Sequence, residues 1–317
     1  MIDVASRRAL GTTGLLVTPI CIGTSALASM PAVYGYGVPQ ERALATLKAA
    51  FSGPFNFMDT SNGYGDGEAE RRIGEAIRAE GGLPKGFVLA TKVDADRSTR
   101  DFSGGRVRRS AEESLKRLGL SKIQLMHLHD PEYYMTFPQA MEKGGPVEAL
   151  VRLRDEGVAD NIGVAAGPVP MLVDFVRTGL FSVVLSHNRY TLLDRSAEPL
   201  IEEAGRRGVA YLNAAPYGGG MLAKGPEAQP RYAYRQANET TARAAALVKD
   251  VCARHGVSPQ AAALQFSLRD PRIASTVVGV TEPSRIEETV RLAAVEIPDA
   301  LWDELKSVDV TGKTGVA

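Results

Sequence analysis

Cysteine is scarce in this sequence of 317 residues, since Cys21 and Cys252 are the only two. They lie far apart and neither belongs to a C-x-x-C pair, so neither a disulfide scaffold nor a thiolate metal site is expected. Net charge is also lacking, because 37 lysine and arginine residues balance 37 aspartate and glutamate residues. A balanced chain has no overall field that would attract nucleic acid or an anionic membrane, and neither is expected as a partner.

Long hydrophobic runs are absent as well. No apolar stretch approaches the roughly 20 residues of a membrane helix, and the polar start MIDVASRRALG lacks the apolar core of a signal peptide. We therefore expect a cytoplasmic protein. Hydrophobic residues make up 44% of the chain, which allows a sizeable core and argues against disorder. The length suits one large α/β barrel or two ordinary domains. No second domain is evident, so residues 1–317 are predicted to form a single domain.

Eight short segments rich in apolar residues alternate with amphipathic helical stretches. These segments are TPICIG, FNFMD, FVLATK, IQLMHLH, NIGVA, SVVLS, VAYLN and STVVG. Continuous apolar runs are typical of parallel strands that are covered on both faces. Eight βα units in a chain of this length predict an α/β fold, the (β/α)8 TIM barrel. The alternative, a doubly wound sheet, favours an early G-x-G-x-x-G after its first strand, whereas CIGTSALASM has one glycine.

Two other segments carry structural signals. The N-terminal RALGTTGLLVT predicts a β-hairpin around Thr12, Thr13 and Gly14, which could close the bottom of the barrel. After the seventh strand, the connection NAAPYGGGMLAKGPEAQPRYAYRQ is long and rich in glycine and proline. Connections of this length inside compact domains are usually functional, so we expect this one to contribute to the site.

Polar side chains stand at the C-terminal ends of three consecutive predicted strands, where TIM barrels place their catalytic groups. They are Asp59 on the second strand, Lys92 on the third, and His127 or His129 on the fourth, with Tyr64 in the loop after Asp59. Taken singly, each has an ordinary structural role, such as a turn cap, a solvated lysine or a core histidine. Those ordinary roles do not predict that all of them share one rim.

This combination suits proton exchange with an oxygen atom. A phenol has an ordinary pKa of about 10, and a nearby ammonium favours its phenolate. We therefore expect Lys92 to lower the pKa of Tyr64 while Asp59 keeps Lys92 protonated. A histidine can donate a hydrogen bond to a carbonyl or alcohol oxygen, and His129 is nearer to the rim than His127. No third histidine or H-E-x-x-H spacing accompanies this pair, so no metal site is expected.

Several segments resemble, in order and spacing, those of the aldo-keto reductase superfamily: RALGTTGLLVTPICIGT, FMDTSNGYGDGEAERRIGEAI, FVLATKV and LHDPE. Others look most like its aldose 1-dehydrogenase branch, which includes L-fucose, L-galactose and D-threo-aldose dehydrogenases and pyridoxal 4-dehydrogenase: HLHDPE, LVRLRDEGVADNIGV, NRYTLLD and NAAPYGGGML. The resemblance covers nearly the whole chain. It implies a barrel that binds NAD or NADP without a Rossmann fold and moves a hydride to or from a carbonyl or hemiacetal carbon of a sugar or small aldehyde. It also implies a catalytic tetrad of Asp59, Tyr64, Lys92 and His129, with Tyr64 as proton donor or acceptor.

The same resemblance implies a set of cofactor-binding residues, which are Gly23, Thr24, His187, Asn188, Tyr217, Gly218, Gly219, Gly220, Leu222, Gly279, Thr281, Arg285, Glu288 and Thr289. The three glycines would bring backbone amides to the pyrophosphate. Arg285, Glu288 and Thr289 would surround the adenosine end. Gly279 stands where members that prefer NADP often carry lysine, so the choice between NAD and NADP stays open.

The carboxamide end of the cofactor departs from the family pattern. The fifth barrel strand of the family usually ends in Ser-Asn, but Ala165 and Ala166 stand there in this chain. His187 replaces the usual glutamine after the sixth strand. The aromatic residue that stacks on nicotinamide is also replaced, with Asn213 or Tyr217 as the possible substitute.

Two other functions are compatible with these residues. A Schiff-base barrel enzyme such as an aldolase would use Lys92 as nucleophile and Tyr64 as acid, although Asp59 beside Lys92 favours the unreactive protonated amine. A non-catalytic nucleotide-binding subunit would keep the fold without turnover, and the altered carboxamide residues favour it. Tyrosines in the loops ASMPAVYGYG, EYYMTFPQ and PRYAYRQ could line a sugar pocket or lie on the surface.

Overall fold

Eight parallel strands close into a barrel in the computed structural model, which describes residues 2–315. The barrel strands are β3 (Ile20–Gly23), β4 (Phe57–Asp59), β5 (Val88–Val93), β6 (Ile123–His129), β7 (Ala159–Ala166), β8 (Val183–His187), β9 (Ala210–Ala214) and β12 (Ile273–Gly279). Each pairs with its neighbours in chain order, and β12 pairs with both β9 and β3 to close the ring. All eight predicted strands are present, and the predicted (β/α)8 barrel is confirmed.

Helices surround the barrel between the strands. They are α1 (Pro31–Tyr34), α2 (Gln40–Ser52), α3 (Glu68–Ala79), α4 (Gly104–Leu118), α5 (Phe137–Ala140), α6 (Pro146–Asp155), α7 (Val169–Arg177), α8 (Glu198–Arg206), α9 (Met221–Lys224), α10 (Glu239–Arg254), α11 (Pro259–Leu268), α12 (Ser284–Ala294) and α13 (Asp299–Leu305). The amphipathic stretches predicted between the strands correspond to α2, α3, α4, α6, α7, α8, α10 and α12. These stretches are PQERALATLKAAF, GEAERRIGEAIRAE, GGRVRRSAEESLKRLG, GPVEALVRLRDEG, VPMLVDFVRTG, AEPLIEEAGRRG, ETTARAAALVKDVCARHG and SRIEETVRLAA. Helices α11 (ten residues) and α13 (seven residues) were not expected from the sequence.

An N-terminal hairpin covers the bottom of the barrel, as predicted. Its strands β1 (Arg8–Ala9) and β2 (Leu16–Val17) pair antiparallel. Leu10 and Val17 are fully buried and join a cluster with residues inside the barrel, including Phe57 and Leu125. The bottom is therefore sealed by apolar side chains, and the opposite end is left for a site.

The long connection after β9, residues 215–238, is ordered and is called the strap below. It contains a short turn at Gly218–Gly220, helix α9, and a two-stranded hairpin of β10 (Arg231–Tyr232) and β11 (Arg235–Gln236). The strap starts at the C-terminal end of a barrel strand, so it lies on the side of the mouth.

Neither cysteine forms a disulfide, since Cys21 and Cys252 are both buried and free. No helix within residues 2–315 is long and apolar enough to cross a membrane.

Candidate active site

Lys92 forms the centre of a buried cluster at the mouth of the barrel. Its Nζ atom donates to Asp59 Oδ2 at 2.6 Å, to the carbonyl oxygen of Thr60 at 2.7 Å, and to the Tyr64 hydroxyl at 3.1 Å. Only 1% of the Lys92 side chain and 4% of the Asp59 side chain are exposed. The strand pairing explains why Asp59 and Lys92 are in contact. Strands β4 and β5 are paired neighbours, and each of the two side chains lies near the C-terminal end of its strand.

Three oxygen atoms around one nitrogen match the three N–H groups of an ammonium. Because Lys92 donates to the phenol oxygen, the Tyr64 hydroxyl keeps its own proton for a different acceptor. The ammonium also lies 4.8 Å from the centre of the Tyr64 ring, which adds a cation–π attraction and fixes the ring.

The electrostatics of Tyr64 differ from the expectation. Burial raises the pKa of Tyr64 well above its ordinary value, and Asp59 raises it further. The expected lowering of the Tyr64 pKa by Lys92 is therefore wrong. The physical reason is that Asp59 sits against Lys92 and offsets its charge, while burial disfavours a phenolate. Tyr64 is consequently a neutral phenol across the physiological range.

His129 lies beside Tyr64, with the two rings nearly perpendicular and 5.7 Å apart. Its Nδ1 atom is 2.7 Å from Asp94 Oδ1 and 3.0 Å from Ser61 Oγ. Asp94 had not been recognised in the sequence, although it follows Lys92 by two residues and so points to the same side of the strand. The choice of His129 over His127 agrees with this placement, because His127 is fully buried one layer deeper.

Carboxylates determine the charge of His129. Burial alone would lower its pKa, but Asp130 and Asp94 outweigh burial and raise the pKa of His129 above its ordinary value. The deeper His127 behaves in the opposite way, since burial and the charge of Lys92 lower its pKa. One imidazole at the mouth can thus carry a proton, while the one below it stays neutral.

A model of the aldo/keto reductase family matches residues 19–310 of this sequence, which is most of its length. The chain belongs to the aldo/keto reductase family. It is therefore an NAD(P)-dependent oxidoreductase that acts on carbonyl or CH–OH groups.

Similar proteins include three named dehydrogenases. L-galactose dehydrogenase of Arabidopsis thaliana is 33% identical over 89% of this chain and 86% of its own. D-threo-aldose 1-dehydrogenase of Pseudomonas sp is 30% identical over 84% and 87%, and pyridoxal 4-dehydrogenase of Microbacterium luteolum is 28% identical over 96% and 98%. The fold matches the holo form of an aldo-keto reductase from Bacillus halodurans with a TM-score of 0.76, at 20% identity and 96% coverage of both chains. These relatives agree with the aldose dehydrogenase branch that the sequence resembles.

The reductase has an acceptor suited to a nicotinamide carboxamide at the end of β8. Asn188 is fully buried, and its Oδ1 atom accepts no hydrogen bond from the described residues. Its Nδ2 atom donates to Nδ1 of His187 at 3.1 Å, so a neutral His187 presents an N–H at its other nitrogen. A carboxamide has one NH2 and one oxygen, which match these two groups. Asn213, the other asparagine considered for this end of the cofactor, is fully buried, and its Nδ2 atom donates to the Tyr190 carbonyl and the Ser267 hydroxyl.

Backbone amides of the glycine turn in the strap are already used in hydrogen bonds, which the sequence did not suggest. The amides of Gly218 and Gly220 already donate to the carbonyls of Ala215 and Tyr217. A side chain at Gly218 would place its Cβ 2.4 Å from the Tyr232 ring, and this residue has a φ of +59°. The glycine therefore makes room for Tyr232 of the strap hairpin, and two of the three expected amides are not free for a phosphate.

Helix α12 presents the residues expected near adenosine. Arg285 is half exposed and donates to Glu288 at 2.5 Å, with Glu282 at 3.8 Å. The Thr289 hydroxyl donates its proton to the Arg285 carbonyl within the same helix, so it cannot also donate to a cofactor. At Gly279, an added Cβ would meet no atom within 4 Å, which leaves open space beside the end of β12.

The other expected cofactor residues serve the scaffold or the rim. Thr24 donates through its amide and hydroxyl to the Asp59 carbonyl, which helps to fix the buried acid. Gly23 pairs with Asp59 and Gly279 in the barrel. Leu222 is buried in the apolar cluster beneath the strap, and Thr281 is half-buried in the loop that precedes α12.

Tyrosines from two loops meet above the mouth. The Tyr34 ring is 6.3 Å from Tyr234 of the strap and 5.9 Å from Tyr36. Tyr34 and Tyr234 are close enough to Tyr64 that both raise its pKa, after burial and Asp59. Tyr133 is 55% exposed and has no ring contact with this cluster among the described residues. Only part of the tyrosine set therefore lines the site.

Proposed function

We propose that this aldo/keto reductase is an aldose 1-dehydrogenase, which transfers a hydride between NAD or NADP and the anomeric carbon of a sugar. Reduction of a small aldehyde is the same chemistry in reverse. The names of its relatives support this substrate class, since two act on L-galactose and on a D-threo-aldose. The observation that carries the chemistry is the contact of 3.1 Å between Lys92 Nζ and the Tyr64 hydroxyl.

The nicotinamide, when bound, supplies or accepts the hydride. The protein handles the proton. In reduction, the neutral Tyr64 donates its proton to the carbonyl oxygen as the carbon accepts the hydride; in oxidation, the phenolate form of Tyr64, stabilised by the Lys92 ammonium, receives the proton of the hydroxyl. Lys92 stabilises the phenolate that remains after donation, and Asp59 holds Lys92 in place. His129 presents its Nε2 edge as a second hydrogen-bonding group for the same oxygen.

The cofactor would lie across the mouth from β8 to α12. Asn188 and His187 would hold the carboxamide, because one has a buried acceptor and the other an N–H. Tyr217 and the backbone amide of Gly219 would face the middle of the cofactor from the strap. Arg285 would lie at the adenosine end, where its guanidinium suits a phosphate.

The aldolase alternative is disfavoured by the surroundings of Lys92. A Schiff-base lysine needs a neutral, accessible amine, whereas Lys92 has three oxygen partners and 1% of its side chain exposed. A non-catalytic subunit is disfavoured by the complete tetrad. Neither alternative gains a specific observation in its favour.

A panel of aldoses, small aldehydes and pyridoxal, each tested with NAD and NADP, examines the proposal directly. We expect a change in nicotinamide absorbance with at least one aldose. Borohydride treatment with the same carbonyl compounds tests the alternative. Covalent capture at Lys92 without cofactor turnover would show that the protein is an aldolase and not a dehydrogenase. Thermal-shift measurements with each cofactor identify the ligand independently of turnover, since a ligand of the folded state raises its stability.

The variant Arg285→Ala tests whether the protein distinguishes NADP from NAD at this residue. If the guanidinium binds a 2′-phosphate, the affinity for NADP should fall by roughly 10-fold to 10²-fold, as expected for a charged hydrogen bond, while the affinity for NAD changes little. Arg291→Ala on the same helix is the matched control. Equal losses for both cofactors would show that Arg285 does not recognise this phosphate.

A further inference from the structure

Asp94 is engaged on both of its carboxylate oxygens at the edge of the site. Oδ1 lies 2.7 Å from His129 Nδ1, while Oδ2 accepts from the Ser61 hydroxyl at 2.5 Å and from the Gly63 amide at 2.7 Å. The backbone is held as well, because the Asp94 amide donates to Ser110 and its carbonyl accepts from Arg106. Only 13% of the Asp94 side chain and 11% of His129 are exposed. This carboxylate is therefore rigidly placed and mostly shielded from water.

The position of each proton follows from these contacts. Ser61 has one hydroxyl proton, and it is directed to Asp94 Oδ2. A carboxylate only accepts hydrogen bonds, so both oxygen atoms next to His129 Nδ1 are acceptors. Nδ1 must therefore carry a proton in the neutral as well as in the charged imidazole. The neutral ring then has a bare Nε2, and only the imidazolium can donate a hydrogen bond from that nitrogen.

We infer that Asp94 is a positioning residue that holds the Nδ1–H of His129, so that His129 serves the reaction as an imidazolium whose Nε2–H donates to the reacting oxygen. This inference rests on the proposed function, because it requires a carbonyl or alcohol oxygen between Tyr64 and His129. It assigns a role to a residue outside the tetrad. The proton that is transferred still comes from Tyr64, and the charge on His129 stabilises the oxygen as it becomes negative.

The charged surroundings of His129 support the imidazolium. Several titratable groups face it from β5, β6, β8 and the loops after β4, β5 and β6: Asp94, Asp130, Glu132, Lys92, Tyr64, His127 and His187. Asp130 Oδ2 lies 3.7 Å from Nε2, which is too long for a hydrogen bond but close enough to favour positive charge. Burial would by itself raise the pKa of Asp94, but the charge of His129 and the donated hydrogen bonds outweigh it and lower that pKa.

Substitution of Asp94 by asparagine should exchange the tautomer of His129. Two donors, from Ser61 and Gly63, point at the Oδ2 position, so the amide oxygen should settle there and leave the NH2 group facing Nδ1. Nδ1 would then become an acceptor and the neutral ring would carry its proton on Nε2. An aspartate-to-asparagine change beside a catalytic histidine has this effect in serine proteases.

Nitrogen NMR of the histidine rings tests this without any need for turnover. The chain has four histidines, and a His129→Gln variant identifies the signal of interest. We expect neutral His129 to carry its proton on Nδ1 in the wild type and on Nε2 in Asp94→Asn, with a lower titration midpoint in the variant. Asp130→Asn should lower the midpoint and keep the tautomer. Asp96→Asn, two residues further along the same loop, should change neither. A wild-type proton on Nε2, or an unchanged tautomer in Asp94→Asn, overturns the inference.

The pH profile of carbonyl reduction gives the second readout. Wild-type kcat/KM should fall about tenfold per pH unit above the His129 midpoint, because the Nε2–H is lost there. In Asp94→Asn this limb should disappear, and the plateau should drop by roughly 10-fold to 10²-fold because the positive charge is missing. Persistence of the limb in Asp94→Asn overturns the role in the reaction. If the wild type turns over no substrate with either cofactor, the proposed function fails, and the NMR result alone decides the pairing of Asp94 with His129.

Discussion

The ammonium of Lys92 donates a hydrogen bond to the hydroxyl oxygen of Tyr64 across 3.1 Å. The direction of this bond matters, because the phenol then offers its own proton to another acceptor. Asp59 takes a second proton of the same ammonium at 2.6 Å, so the lysine links a buried carboxylate to a proton donor. Tyr64 is thus a neutral phenol that contacts the Lys92 ammonium on one side and faces the mouth of the barrel on the other.

Tyr64→Phe should remove most turnover, because it deletes only the phenolic oxygen. General acid–base catalysis contributes about 10²-fold to 10⁴-fold, and we expect a loss of kcat in that range. Cofactor affinity, measured by titration, should stay near that of the wild type. Tyr133→Phe, which alters an exposed hydroxyl, is the control. A Tyr64→Phe variant with normal kcat would show that the transferred proton does not come from this residue.

The titration of Tyr64 gives a prediction with a definite sign. Burial, followed by Asp59, raises its pKa, so the neutral phenol should persist to a pH above the ordinary value of about 10. The chain has ten tyrosines, and the difference in ultraviolet absorbance between the wild type and Tyr64→Phe isolates this one during a pH titration. Carbonyl reduction should consequently lose no activity below that pH through ionisation of Tyr64. A Tyr64 midpoint near neutral pH would restore the sequence-based expectation of a lowered pKa.

Lys92 and Asp59 should be strongly coupled in stability, because both are almost fully buried. Lys92→Met leaves the Asp59 charge unpaired, and breaking a buried pair in this way costs about 3–5 kcal/mol. The double variant Asp59→Asn with Lys92→Met removes both charges and should regain part of this loss. Urea unfolding of the wild type, the single variants Lys92→Met and Asp59→Asn, and the double variant measures the coupling.

The exposed pair of Lys122 and Asp160 provides the comparison for this cycle. Their side chains are 60% and 38% exposed, so Lys122→Met should cost less than about 1 kcal/mol. The buried pair does not contribute to stability if Lys92→Met has the same free energy of unfolding as the wild type and as Lys122→Met.

The barrel was predictable because its strands have one chemical signature. Apolar runs flanked by turns identified all eight strands, and the rule that functional groups occupy strand ends placed Asp59, Lys92 and His129 on one rim. Helix α11 was not predicted because it has no polar face: seven of its ten residues are buried, including the polar Gln265 and Ser267. A helix that is covered all round gives no periodic pattern.

The electrostatic details were not predictable, because they depend on distances that sequence does not contain. Lys92 next to Tyr64 predicts a lowered pKa only if burial and the second neighbour, Asp59, are left out. Asp94 was detectable in principle, since it follows Lys92 by two residues in the same way that His129 follows His127. Recognising it required the contact with His129 Nδ1, which joins residues 35 positions apart.

Gly218→Ala should loosen the strap over the mouth. The residue has a φ of +59°, and an added Cβ would lie 2.4 Å from the Tyr232 ring. The Tyr232 ring is fully buried, and its hydroxyl donates to the Asn188 carbonyl at 3.1 Å, so it cannot move without disturbing the residue proposed to hold the carboxamide. We expect a cost of about 1 kcal/mol for the left-handed backbone and about 1–3 kcal/mol more for the clash, together with weaker cofactor binding.

Gly14→Ala separates these two contributions. Gly14 has a φ of +75°, but an added Cβ would meet no atom within 4 Å, so this variant carries the backbone cost alone, in the hairpin at the far end of the barrel. Its free energy of unfolding should fall by about 1 kcal/mol, and its cofactor affinity should match that of the wild type. Because the strap connects Gly218 to Tyr232 and Asn188, only Gly218→Ala should show both the larger loss of stability and the weaker binding. Equal losses in the two variants, with equal cofactor affinity, would mean that the packing of the strap does not control the carboxamide end of the site.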